Sequence, residues 1–176
     1  MLSQFRHKVD PHAAKLWAPL GKWVTPNQLT VFGLLCAGFA GYLIFADHFI
    51  YAGIFVLVSA ILDHLDGAIA RGAGLKSEFG AVLDAVFDRL GEGLIYIGLA
   101  TKSFLAVPAI VLSYGISHVS AKHSKASGGI LERIERAIYI AIMLFLNQVQ
   151  NGLILFNALL LITLIQRMYY AYRASL

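Results

Sequence analysis

Long apolar stretches are the feature of this sequence that most limits its fold. A helix needs about 20 predominantly apolar residues to cross the ~30 Å hydrocarbon core of a bilayer. Of the 176 residues, 59% are hydrophobic, and the mean hydropathy is +0.71. We therefore predict an all-α, polytopic membrane protein with six transmembrane helices. The predicted spans cover residues 28–46, 51–70, 81–100, 104–122, 134–147 and 153–170.

The basic residues predict how these spans are oriented, because lysine and arginine are enriched on the cytoplasmic side of membrane proteins. Six crossings put both termini on one side, and the loops of the opposite side carry essentially Lys102 alone. We predict a multi-pass protein of the cell membrane with both termini facing the cytoplasm. The basic residues on the terminal side are Arg6, Lys8, Lys15, Lys22, Arg71, Lys76, Lys122, Lys125, Arg133, Arg136, Arg167 and Arg173.

The segment before the first span has a pattern of its own. Apolar residues recur at steps of three and four from Leu2 to Leu20, with basic residues between them. This pattern is typical of an amphipathic helix that lies in the lipid headgroup layer. Thr25 and Pro26 then provide a capping hydroxyl and a first-turn proline. We divide the chain into an interfacial amphipathic helix at residues 1–24 and a six-helix transmembrane domain at residues 25–176.

Composition excludes several classes of function. Cys36 is the only cysteine, so the chain can form no intramolecular disulfide and no metal site based on thiolates. A net charge of +4 in a chain with 14% charged residues is weak support for binding nucleic acid. We therefore predict no nucleic-acid partner.

Four of the ten acidic residues converge on two helix ends. Asp63 and Asp66 lie near the end of the second span, and Asp84 and Asp88 lie near the start of the third. Steps of three and four residues place each pair on one stripe of its helix. The short connection between the spans makes them antiparallel neighbours, so the stripes face each other. Because carboxylates are costly at membrane depth, this predicts a functional cluster at the cytoplasmic end.

The residue types around the cluster indicate its chemistry. Carboxylates without His or Cys suit Mg²⁺, Mn²⁺ or Ca²⁺, and four of them can hold a pair of ions, an arrangement typical of phosphoryl transfer. Gly67, Ala70 and Gly80 leave room for a bulky substrate, and Arg71 can bind its phosphates. Two other interpretations are salt bridges around an inert bundle and a cation transporter. The transporter is disfavoured because the outer halves of the spans are apolar.

Residues 63–88 also follow a pattern with eight specified positions, D-x2-D-G-x2-A-R-x8-G-x3-D-x3-D. This pattern resembles the signature of the CDP-alcohol phosphotransferase family at every position. The resemblance implies a membrane enzyme of phospholipid biosynthesis that transfers a phosphatidyl-type group from CDP-diacylglycerol or CDP-archaeol to a polar alcohol and releases CMP.

The same resemblance implies roles for individual residues. It implies two divalent cations, Mg²⁺ or Mn²⁺, and Asp88 as the catalytic base that deprotonates the acceptor hydroxyl. The implied metal ligands are Asp63, Asp66, Asp84 and Asp88, and the implied CDP-binding residues are Asp66, Gly67, Ala70, Arg71 and Gly80.

The acceptor is indicated by the cytoplasmic segment from Ser117 to Arg136. This segment resembles the branch of the family that uses inositol phosphate, which implies a phosphorylated polyol, inositol 1-phosphate, as acceptor. Glycerol 3-phosphate or serine as acceptor, and a soluble CDP-inositol as donor, remain alternatives, as does a Glu132–Arg136 surface ion pair. We also expect a homodimer in the bilayer. The candidate acceptor-binding residues are Ser117, Lys122, Arg133, Arg136 and Arg167.

Overall fold

The computed structural model describes residues 17–122 and 129–174, and these residues form helices and connecting turns without a strand. Most of the predicted interfacial helix, residues 1–16, lies outside the described residues, and a short 3₁₀ helix at Ala18–Lys22 follows it. The all-α prediction is confirmed. The six α-helices of the described residues are α1 (Pro26–Phe45), α2 (Phe49–Gly72), α3 (Glu78–Ala100), α4 (Ala106–Lys122), α5 (Arg133–Phe145) and α6 (Val149–Ala174).

Three of these helices have the length and apolar composition needed to cross a membrane, and they are α1, α2 and α6. The other three helices are either shorter or carry more charge. At about 1.5 Å per residue, the 17 residues of α4 and the 13 residues of α5 extend over roughly 26 and 20 Å. Helix α3 has 23 residues but carries the acidic stripe along its first half.

Local sequence sets the helix boundaries near the site. Thr25 forms a capping box with Gln28, in which Thr25 Oγ1 accepts a bond from the Gln28 amide and the Gln28 side chain accepts one from the Thr25 amide at 3.0 Å. Pro26 occupies the first turn, so the predicted start of the first span is confirmed. Ser77 caps α3 by accepting a bond from the Gly80 amide. These caps place the ends of α1 and α3 beside each other.

Helix α1 packs along both α2 and α3, and these two helices touch each other only sparingly. The predicted antiparallel neighbours α2 and α3 thus meet mainly at their joined ends, where the acidic stripes come together. Small residues make the three-helix arrangement possible, because Gly41 and Gly98 let the backbones of α1 and α3 meet. A Cβ atom built on Gly98 lies 2.5 Å from the carbonyl oxygen of Gly41. The remaining packing chiefly joins α2 to α5, α4 to α6 and α3 to α4.

The six helices alternate in direction, which gives the bundle two different ends. The acidic motif and the first turn of α1 lie at one end, here called the site end. At the opposite end Lys102 forms an ion pair with Asp47 at 2.6 Å and donates to the carbonyl of Phe45 at 3.0 Å. Two turns of the same hydrogen-bond pattern close this end, and each contains a residue with positive φ, Asp47 at 63° and Asn147 at 54°.

The α1–α3 crossing leads to a test of packing. We expect Gly98→Ala to lower the apparent Tm in detergent, because the added methyl group meets backbone that cannot move aside. Overpacking of this kind costs about 1–3 kcal/mol, which outweighs the gain of about 1 kcal/mol in helix propensity. Gly115→Ala is the matched control, since its Cβ would make an ordinary 3.6 Å contact with Leu164. An equal Tm for the two variants would contradict the crossing.

Candidate active site

Three of the four predicted metal ligands converge at the site end. Asp63 and Asp66 come from the last turns of α2, and Asp84 comes from the second turn of α3. One carboxylate oxygen from each lies within 4.8 Å of the others. Asp66 is buried, and the other two are partly buried. The two acidic stripes therefore meet at their ends, as the spacing predicted.

Asp88 lies next to this group and shares an arginine with it. The guanidinium of Arg133 donates from Nη1 to Oδ1 of Asp63 at 2.6 Å and also contacts Oδ2 of Asp88. Arg89 adds a weaker contact to the same Asp88 oxygen at 3.5 Å. Arg133 begins α5, so three helices contribute to this ion-pair cluster. The arginine supplies part of the positive charge that closely spaced carboxylates require.

Thr30 of α1 is a site residue that the sequence did not single out. Its hydroxyl lies 2.6 Å from Oδ2 of Asp66 and 3.0 Å from the carbonyl oxygen of Pro26. A hydroxyl has one proton, and the shorter, charge-assisted bond to the carboxylate is the stronger of the two. Thr30 thus fixes the orientation of the Asp66 carboxylate, the most deeply buried member of the cluster.

A cavity of about 530 Å³ opens beside the carboxylates at the ends of α1, α2 and α3. This volume lies in the range of small-ligand sites. Asp66 and Asp84 line it together with the other predicted CDP-binding residues, which are Gly67, Ala70, Arg71 and Gly80. A Cβ on Gly67 would stand 3.1 Å from Nη1 of Arg71, so glycine lets the guanidinium lie close to the helix backbone. The structure brings the complete predicted set together.

A second cavity, of about 60 Å³, lies deeper between α1, α2, α3 and α5. Thr30 and Asp66 border both cavities. Asp63, Asp88 and Arg133 belong to the second one. Asp88 therefore lines the small cavity and not the large one.

The five predicted acceptor-binding residues have different surroundings. Arg133 is at the cluster, whereas Lys122 is exposed at the end of α4. Ser117 is buried on α4, and Arg167 is buried on α6, where it donates to the carbonyl of Ile116 at 3.2 Å and contacts Ser120. These residues all lie toward the site end of their helices.

Arg136 differs from the other candidates because it is 3% exposed and paired with Glu92 of α3. The two bonds run from Nε to Oε1 at 2.8 Å and from Nη2 to Oε2 at 3.4 Å. The sequence left open a bridge from Arg136 to Glu132, but the guanidinium pairs with Glu92 instead. The Glu132 amide donates to Oε2 of Glu135 at 2.7 Å. The sequence does carry a sign that Glu92 belongs to the site, because Glu92 continues the stripe of Asp84 and Asp88 by one further helical turn.

The residues present fit a hard divalent cation. Three carboxylates provide only oxygen donors, and their nearest oxygens are close enough to share one ion. Among the residues that the structure describes, no Cys or His belongs to this group, which disfavours softer metals. The buried position of Asp66 also favours a counter-cation, because an uncompensated buried carboxylate is costly.

Comparison with known proteins agrees with this site. The sequence profile of the CDP-alcohol phosphatidyltransferase family matches residues 23–167. The chain is 39% identical over 183 residues to the archaetidylinositol phosphate synthase of Pyrococcus horikoshii, covering 97% of this chain and 96% of that protein. It is 34% identical to the phosphatidylinositol phosphate synthase of Mycobacteroides abscessus, over 66% of this chain and 60% of that one.

Solved structures show the same fold. The phosphatidylinositol phosphate synthase of Mycobacterium tuberculosis, in complex with manganese and citrate, superposes with a TM-score of 0.77 at 25% identity, covering 91% of this chain and 88% of that one. The structure of that protein with CDP-DAG bound gives a TM-score of 0.77 at 24% identity, over 91% and 93% of the two chains. The chain belongs to the CDP-alcohol phosphatidyltransferase family.

Proposed function

We propose that this protein transfers a phosphatidyl-type group from a CDP-linked lipid to a hydroxyl of inositol phosphate and releases CMP. The observation that carries the proposal is the large cavity, which six of the eight motif positions line, namely Asp66, Gly67, Ala70, Arg71, Gly80 and Asp84. The near full-length similarity to an archaetidylinositol phosphate synthase supports inositol phosphate as the acceptor and a CDP-lipid as the donor.

The large cavity binds the CDP part of the donor. Gly67, Ala70 and Gly80 carry little or no side chain, so a nucleotide can approach the helix backbone there. Arg71 binds the diphosphate, and its planar guanidinium suits two phosphate oxygens at once. The lipid part of the donor extends into the bilayer beside the apolar surfaces of the helices.

The acceptor reacts on the other side of the carboxylates. Asp88 takes the proton of the acceptor hydroxyl, the hydroxyl oxygen attacks the β-phosphorus of the donor, and the bond to the CMP oxygen breaks. Arg133 lies beside Asp88 and, with Lys122, Ser117 and Arg167, binds the acceptor phosphate.

Divalent cations, Mg²⁺ or Mn²⁺, neutralise the charge that builds up on the pyrophosphate as its bond breaks. Asp63, Asp66 and Asp84 hold them, with Asp88 as a fourth ligand in a two-ion site. Thr30 holds the Asp66 carboxylate in place before substrate arrives, so little reorganisation of this ligand is needed during the reaction.

All six helices cross the membrane in this proposal, with the site end in the cytoplasm. Asp88 and Glu92 of α3 face protein rather than lipid, since both pair with arginines of α5. Homodimers are the proposed assembly, formed through the exposed apolar faces of the bundle.

Measurement of CMP release tests the reaction. Purified protein is supplied with a CDP-lipid, Mg²⁺ or Mn²⁺, and inositol 1-phosphate, glycerol 3-phosphate or serine in parallel. We expect CMP only with inositol 1-phosphate, and release with another acceptor would reassign the substrate. Release from soluble CDP-inositol in place of CDP-lipid would reassign the donor. No CMP under any condition would reject the proposed function.

Asp88→Asn tests the catalytic base. We expect kcat to fall at least 100-fold, because general bases contribute roughly 10²–10⁴ in rate and an amide cannot accept the proton. Asp47→Asn is the matched control, as it makes the same chemical change at the opposite end, at a positive φ that asparagine tolerates. Full turnover by the Asp88 variant is incompatible with the mechanism.

Arg71→Gln and Lys122→Ala test which residues bind the donor and which bind the acceptor. Each variant is the control for the other. We expect the Arg71 variant to raise the KM for the CDP-lipid and the Lys122 variant to raise the KM for inositol phosphate. In each variant we expect the KM of one substrate to rise fivefold or more and the KM of the other to stay unchanged. An exposed contact between a charge and a phosphate contributes about 1 kcal/mol. Equal changes in both KM values would remove the assignment.

Single cysteines at Lys76 and Lys102 test the orientation in a Cys36→Ser background. Position 76 lies in the loop between α2 and α3, and position 102 lies beside Asp47 at the opposite end. In inverted membrane vesicles we expect an impermeant maleimide to label position 76 and to leave position 102 unlabelled. The reverse pattern would place the site outside the cytoplasm.

A further inference from the structure

A buried polar network lies one helical turn deeper than the carboxylate cluster. Its centre is the Glu92–Arg136 pair between α3 and α5. Tyr96 donates to Oε1 of Glu92 at 3.2 Å and shares a 2.6 Å hydrogen bond with Ser113 of α4. Arg136 is 3% exposed, and Tyr96 and Ser113 are completely buried. The proposed reaction assigns no step to these residues, and buried charge is retained at a cost in desolvation.

The pair belongs to a ladder of two ionic contacts between the same helices. Asp88 and Glu92 are four residues apart on α3, and Arg133 and Arg136 are three residues apart on α5, so each set occupies one helix face. The upper contact joins Asp88 to Arg133, and the lower contact joins Glu92 to Arg136. Both contacts border the same small cavity.

Arg136 also holds the beginning of its own helix. Its Nη1 donates to the carbonyl oxygen of Leu131 at 3.4 Å, two residues before Arg133 starts α5. Leu131 in turn donates its amide to Thr163 of α6 at 3.1 Å. The first turn of α5, which carries Arg133, is therefore fixed to α3 through Arg136 and to α6 through Thr163.

We infer that the Glu92–Arg136 pair is a positioning element that holds Arg133 against Asp63 and Asp88. Arg136 thus acts through Arg133 and is not an acceptor ligand, because three of its five N–H groups are already committed to Glu92 and Leu131. The kinetic consequences of this inference rest on the proposed function, but the placement of Arg133 does not.

A double variant that keeps the net charge, Glu92→Gln with Arg136→Met, distinguishes an effect on the position of Arg133 from an effect on the stability of the fold. Removing Glu92 alone leaves a buried guanidinium unpaired, which strongly destabilises a fold, whereas replacing both members of a buried pair is often neutral. We expect the double variant to keep an apparent Tm near that of the unmodified protein. Tyr96→Phe is the control, because it removes a hydroxyl from the network and leaves the pair intact.

Binding of Mn²⁺, followed by its electron paramagnetic resonance signal, reports on Arg133 without any turnover. Arg133 contacts Asp63, one of the three carboxylates that can share an ion, and therefore competes with a metal for that oxygen. We expect Arg133→Gln to tighten Mn²⁺ binding on the order of tenfold. This is the size of the change that one close opposite charge makes in the proton affinity of a carboxylate. The double variant should tighten it similarly, and Tyr96→Phe should leave it unchanged.

The same variants then give a kinetic result. With inositol phosphate as acceptor, we expect the double variant to lower kcat about tenfold or more, with the KM for the CDP-lipid within twofold of normal. Mn²⁺ affinity unchanged in the double variant or in Arg133→Gln would overturn the inference, as would a normal kcat at normal stability. If the unmodified protein releases no CMP, the proposed function fails, and the Mn²⁺ measurement still decides the inference.

Discussion

Repulsion between carboxylates that share a poorly polarisable environment is the constraint on which the site end of this bundle depends. The aspartates are compensated in three ways. Asp66 accepts a bond from Thr30, Asp63 and Asp88 share the guanidinium of Arg133, and a cluster of oxygens within 4.8 Å remains for divalent cations. The same concentration of negative charge that endangers the fold allows the protein to gather cations next to a diphosphate.

Local patterns in the sequence predicted much of this arrangement. The apolar stretches gave six helices close to their observed positions, because hydropathy and helix boundaries are properties of neighbouring residues. Thr25 and Pro26 predicted the start of α1. The steps of three and four residues predicted that Asp63, Asp66 and Asp84 would meet, since helical periodicity fixes which side chains share a face.

Contacts between distant segments were not predictable in the same way. Thr30 lies 36 residues from Asp66, and nothing in its neighbourhood distinguishes it from other threonines in apolar helices. The pairing of Glu92 with Arg136 spans 44 residues and depends on how α5 is rotated. The insertion of α1 between α2 and α3 was missed because short loops indicate adjacency along the chain, whereas packing follows the small residues on each helix face.

The backbone contact at Gly41 and Gly98 has a geometric consequence for the other end of the molecule. The two helices stay close from this contact to their first turns, since a Cβ on Gly91 would lie 3.2 Å from Ala37 and one on Gly80 would lie 3.2 Å from Asn27. The 530 Å³ cavity is bordered by the first turns of the same two helices and by the end of α2. A larger side chain at Gly80, Gly91 or Gly98 would push α1 away from α3 and so widen the gap between their first turns. Gly91 and Gly98 thereby take part in setting the width of a cavity that neither of them lines.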